Sequence, residues 1–207
     1  MKLYVSLFAS LALALGGACR SAERSTAAPF AAPFPAMAAE NADGAVAVEA
    51  RHYTDHKRVF GVDLPREARV LPVALKLGLA PGASHSLRFD PARAALRLYL
   101  PDGTVVASKP AAAIQTQFKR ANERIVATAL DARVLAPWSA AREANVYFDL
   151  GEAGELFVKR GEISRRVGEE VRTFGLEQAL IGFELEVDGA PRSVFVGLAP
   201  TNGARYP

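Results

Sequence analysis

Apolar and polar residues alternate along most of this chain with a period of two, the period of a strand buried on one face only. In residues 45–53, Val46 and Val48 lie on one side and Glu49 and Arg51 on the other. Val70 to Leu79 sets Val73, Leu75, Leu77 and Leu79 against Ala74, Lys76 and Gly78, with Pro72 tolerable near the strand start or at an edge. Leu87 and Phe89, then Leu96, Leu98 and Leu100, continue the pattern, and Val105 and Val106 resume it after the turn Pro101-Asp102-Gly103-Thr104. Residues 145–150 return to strand, and 155–159 do so more weakly. Near the end, Ile181, Phe183, Leu185 and Val187 alternate with Gly182, Glu184 and Glu186, and Val194, Val196 and Leu198 follow a turn at Asp188-Gly189-Ala190-Pro191. This pair reads as a hairpin with a longer loop. Thr54 to Arg58 reads as a polar loop, and Gly161 to Gly175 as a charged stretch without a period.

The middle of the chain changes period. Ile114, Phe118, Ala121 and Ile125 recur at helical spacing, with Lys119, Arg120, Glu123 and Arg124 between them. The spacing predicts an amphipathic helix from Ser108 to about Val126, with Pro110 in its first turn. Pro137 and Trp138 open a short helical turn over residues 140–144. Seven or eight short strands separated by turns predict a mainly β domain, an antiparallel β-sandwich of the Ig-like class with one inserted amphipathic helix.

Two segments precede that domain. Lys2, an apolar run from Leu3 to Leu15 and the small residues Gly16, Gly17 and Ala18 follow the plan of a secretory signal peptide, residues 1–18. The run is shorter than the roughly 20 residues of a membrane span. Cys19, the one cysteine of the chain, comes next. Leu15-Gly16-Gly17-Ala18-Cys19 resembles the lipobox of bacterial lipoproteins, with Gly16 where that family carries a large apolar residue. The resemblance implies that Cys19 is lipidated and becomes the first residue of the mature protein. It also implies sorting to the outer membrane, because Arg20 rather than aspartate follows. Ordinary secretory cleavage at the same small residues would instead give a soluble secreted module. Residues 19–44 form an Ala/Pro-rich tether in which Pro29, Pro33 and Pro35 favour extended backbone; as a coil it would reach roughly 28 Å. Phe30 and Phe34, in a repeated Ala-Pro-Phe, are candidate contacts for a partner. The folded domain then covers residues 45–207.

Charge narrows the choice of partner. The 25 Lys and Arg nearly balance the 22 Asp and Glu, and the leader holds one of the lysines. A field this weak argues against nucleic acid. One local cluster, Arg51, His52, His56, Lys57 and Arg58, is a candidate contact for an anion or other ligand. His52 and His56 are four apart, but on a strand leading into a loop that spacing does not bring two ligands together, and Asp63, His85 or Asp90 would have to complete a set. No metal site or cofactor is therefore expected.

No nucleophile elbow stands in the sequence. Asp149 with Glu152, and Glu184 with Glu186, are the carboxylate pairs that could be posed as acid and base; the second pair reads better as solubilising charge on an outer strand face. Trp138 and Tyr147 read as packing residues, with sugar stacking as the functional option. Tyr53, Phe60-Gly61-x-Asp63-Leu64, Pro72-Val73 and Gly182-Phe183 together resemble uncharacterised bacterial envelope lipoproteins. That likeness implies a sandwich in the envelope and brings no active residues with it. The expected function is a membrane-tethered envelope lipoprotein, a non-enzymatic binding or structural module with an envelope protein or polymer as partner. An envelope hydrolase whose site assembles only in three dimensions is the alternative.

Overall fold

The computed structural model describes residues 44–90, 96–116, 133–151 and 156–200. Twelve strands form among these residues. They are β1 (Val46–His52), β2 (Val70–Leu79), β3 (Leu87–Phe89), β4 (Arg97–Tyr99), β5 (Val105–Lys109), β6 (Arg133–Val134), β7 (Glu143–Asp149), β8 (Leu156–Lys159), β9 (Glu162–Val167), β10 (Glu170–Gly175), β11 (Leu180–Val187) and β12 (Ala190–Pro200). Three short α-helices accompany them within the same residues: α1 (His56–Phe60), α2 (Leu64–Glu67) and α3 (Ala111–Gln115).

Seven strands close on themselves in the order β12-β1-β2-β7-β5-β4-β11, and β11 pairs back onto β12. This is a closed barrel, and it corrects the sandwich expectation. Alternating short strands are common to both architectures, and only the partners of the first and last strands separate them. A ring with an odd number of strands cannot be antiparallel throughout. The exception is the seam, where β1 runs parallel to β12 with Ala50, Arg51 and His52 beside Leu198, Ala199 and Pro200. Closure removes the free edges that an open sheet would expose.

The inward positions fill the barrel. Leu71, Val73, Leu75, Leu98, Leu100, Phe148 and Ile181 have no exposed surface. Pro72 lies where β2 has only β7 beside it, because pairing with β1 begins at Val73, so its missing N–H costs no ladder bond on that side. At one end of the barrel β3 pairs with the last residues of β11 and with β6, and Leu87, Phe89 and Leu135 join the core there. At the other end β8, β9 and β10 form a separate three-stranded meander. Its Leu156, Ile163 and Phe174 belong to the same apolar cluster as the barrel interior, so the small sheet caps that end. Arg165 of β9 braces it on the barrel, donating to Asp102 Oδ2 at 3.0 Å and to Thr104 Oγ1 at 2.6 Å in the β4–β5 turn.

A second, smaller core lies outside the barrel. Val70 and Ala74 of β2 and Tyr147 of β7 face outward and are covered by Val59, Phe60, Leu64, Tyr53 and Ile114. The expected loop at Thr54–Arg58 is thus helical from His56. Asp55 Oδ1 accepts the Arg58 N–H at 3.0 Å, and Gly61 ends the helix in the left-handed conformation. The predicted long helix is corrected at its start: Ser108 and Lys109 belong to β5, and α3 begins after Pro110. Phe118, Ala121 and Ile125 lie outside the described residues, as do Cys19 and the tether up to residue 43. No helix among the described residues is long and apolar enough to cross a membrane.

Candidate functional site

The barrel wall separates the sequence-predicted cluster. Arg51 points outward and binds Glu49 Oε1 through Nε at 2.9 Å and Nη2 at 2.6 Å. His52, the next residue along, faces inward and is 3 % exposed. Its ring edge packs on the turn between β8 and β9, so close that a Cβ on Gly161 would lie 3.2 Å from His52 Cε1. Lys57 and Arg58 project into solvent from α1. His56, on the same helix, turns its Nδ1 into the protein, and its ring stands 6.4 Å from that of Tyr53.

Three buried polar side chains in this half of the molecule differ in how they are satisfied. Asn145 accepts from the Tyr53 hydroxyl at 2.6 Å. Asp149 is bound by Lys109 Nζ and by the Gly151 N–H. His52 Nδ1, and with it His56 Nδ1, has no hydrogen-bond partner among the described residues. Such groups persist most cheaply as neutral imidazoles. Burial lowers the pKa of His52, and burial lowers that of His56 to about 4, with the neighbouring His52 pushing the same way and Asp63 and Asp55 opposing. A base this weak is poorly matched to proton transfer near neutral pH.

The remaining proposed ligands lie elsewhere or are engaged. His85 is at the opposite end of the barrel, bonded through Nδ1 to Asp188 Oδ2 at 2.6 Å. Asp55 caps α1, and Asp63 is the N-cap residue of α2. Among the described residues no group of three His, Cys, Asp or Glu could hold a metal ion. Asp149 is tied to Lys109, and its suggested partner Glu152 lies outside the described residues. Trp138 lies against β2, its ring 4.0 Å beneath Lys76 Nζ. Tyr147 is buried in the outer core.

A depression that the sequence did not announce opens on the outer wall across β4, β11 and β12. It holds about 240 Å³ and is lined by Arg97, Tyr99, Gly182, Phe183, Glu184, Ser193 and Phe195. Register explains the grouping. Gly182 is paired with Arg97 on one side and Phe195 on the other, and Glu184 with Ser193. A Cβ on Gly182 would sit 2.5 Å from Phe195 Cε1 and 2.8 Å from Tyr99 Cε2, so the glycine lets both rings lie down on the strand. Their centroids are 5.9 Å apart and tilted by 59°. The result is an aromatic floor with a cation, a carboxylate and a hydroxyl at its rim. A Gly in a strand that carries acidic outer residues is the sequence signal that could have found it.

Comparison with known proteins adds no relative: no family model, no curated protein and no solved structure matches this chain.

Proposed function

We propose that this protein is a membrane-tethered envelope lipoprotein, held through a lipid on Cys19, whose barrel binds a glycan of the cell envelope in the depression over Gly182. The carrying observation is the pairing of Tyr99 and Phe195 with Arg97, Glu184 and Ser193 at one place on the barrel's outer wall. A sugar ring has an apolar C–H face that lies on aromatic carbon and a hydroxyl rim that needs donors and acceptors beside it. The wall supplies both, and sites of this kind combine apolar surface with a few placed polar groups. The leader and the Ala/Pro-rich tether supply the address and the stand-off distance.

Titration of cell-wall glycan fragments into the protein, followed by amide chemical shifts, tests the site. Shifts should cluster on β4, β11 and β12, and Phe195→Ala or Arg97→Ala should weaken binding about tenfold. Absence of binding across a glycan series would sink the ligand assignment. The tether is tested separately by the mass of the mature N-terminus in wild type and Cys19→Ser. Acyl mass on the wild type alone supports it; two unacylated, soluble proteins would remove it.

A further inference from the structure

The barrel closes its edges, but the capping sheet does not. Among the described residues β10 pairs with β9 alone, and Glu170, Val171 and Arg172 on it are exposed, Val171 at 52 %. The hydrogen-bond phase of this edge follows from its hairpin. β9 and β10 are joined by the two residues Gly168 and Glu169, with Val167 opposite Glu170. The pair that closes a two-residue loop is hydrogen-bonded, so Glu170 and Arg172 turn their backbone groups to β9 while Val171 and Thr173 turn theirs outward.

We infer that β10 is an assembly edge, pairing antiparallel with β10 of a second copy of this chain about a two-fold axis through Val171. Four symmetric registers are short enough to consider, and charge selects among them. An axis through Glu170 or through Arg172 sets like charges directly opposite each other, which is destabilising. An axis through Thr173 places Val171 against Gly175, whose N–H is already taken by Gln178 Oε1 at 3.3 Å. An axis through Val171 places Glu170 against the partner's Arg172 and Arg172 against the partner's Glu170. Within one chain Arg172 Nη2 already lies 3.2 Å from Glu170 Oε2. Pairing two such strands makes a square of alternating charge on one face and an apolar Val–Val contact on the other. The outward N–H and C=O of Val171 are then exchanged between copies. Such an isologous contact closes at two copies. The edge is short and its charges exposed, so the dimer is weak and the charges set register more than affinity.

The test uses the full chain carrying Cys19→Ser. In the proposed register the two Val171 Cα atoms lie about 5.5 Å apart, within disulfide reach. Under mild oxidation Val171→Cys should cross-link to a dimer, whereas Thr173→Cys, offset by four residues from its mate, should not. Glu170→Arg should weaken the dimer of the parent chain about fivefold in sedimentation equilibrium, and adding Arg172→Glu should restore it. Cross-linking of Thr173→Cys in preference to Val171→Cys, an unaltered dimer after Glu170→Arg, or a monomer at millimolar concentration would each overturn the proposal. Circular dichroism checks that each variant is folded.

Discussion

The barrel and the sheet that caps it are built from the same kind of strand and solve the edge problem differently. In the barrel every strand of the ring has two neighbours, at the cost of one parallel seam between β1 and β12. The cap is a three-strand meander with buried residues on one face and Phe157 and Val171 exposed, at 53 % and 52 %, on the other. Burial makes the ring the source of stability; an unclosed edge leaves the cap to make contacts. Local alternation is alike in both, so the difference lies in which strands meet.

The largest expected effect separates them directly. Phe148→Ala, in the barrel interior with no exposed surface, should cost about 3–5 kcal/mol in urea melts. Equal stability of that variant and wild type would mean that the barrel interior is not the core.

The buried histidines beside the barrel should make the fold acid-sensitive. His56 has its pKa lowered from 6.5 to about 4, and that of His52 moves in the same direction. A base with a depressed folded pKa leaves the unfolded chain holding more protons. Stability is therefore fully present above pH 6.5 and falls as the pH drops toward 4, by up to about 3 kcal/mol for His56. His56→Gln should flatten the profile between those values; an unchanged slope would place the titration elsewhere.

Two smaller effects sharpen the contrast. Tyr53→Phe leaves Asn145 Oδ1 without its 2.6 Å donor beneath the helices and should cost about 1–3 kcal/mol in thermal unfolding. Phe157→Ala, on the exposed face of the cap, should change stability by less than about 0.5 kcal/mol in the same melts. A large loss there would show that this face is covered.

The inward faces of the longer strands are legible residue by residue, but the closed barrel they build is not. The inward sets Val73, Leu75 and Leu77, and Ile181, Phe183 and Leu185, are the ones that period-two alternation marks. What alternation cannot carry is pairing across long separation, and the seam between Ala50 and Leu198 is of that kind. Asp188-Gly189 carried more information than the longer loop assigned to it. Both residues have positive φ, 50° and 81°, and they form a two-residue turn closing Val187 on Ala190. The strands in the charged stretch from Gly161 are hidden in the sequence because Ile163 and Phe174 alone among residues 161–175 reach the core, too few to set a visible period. At the site, the burial of His56 is not legible while Thr54–Arg58 reads as a polar loop, because it follows from the helix that begins at His56. The depression over Gly182 needed three strands in register before its residues met.

Amide hydrogen exchange of the full chain, read residue by residue at two protein concentrations, tests the central contrast most directly. The account predicts slow exchange at Ala50 and Ala199, whose amides face each other's strand across the seam, reflecting global opening of a closed ring. It predicts fast exchange at Val171 and Thr173 in dilute protein, with Val171 slowing as concentration rises. Fast exchange along the β1–β12 seam would contradict the closed barrel, and slow, concentration-independent exchange at Val171 would show that the cap's edge is already covered.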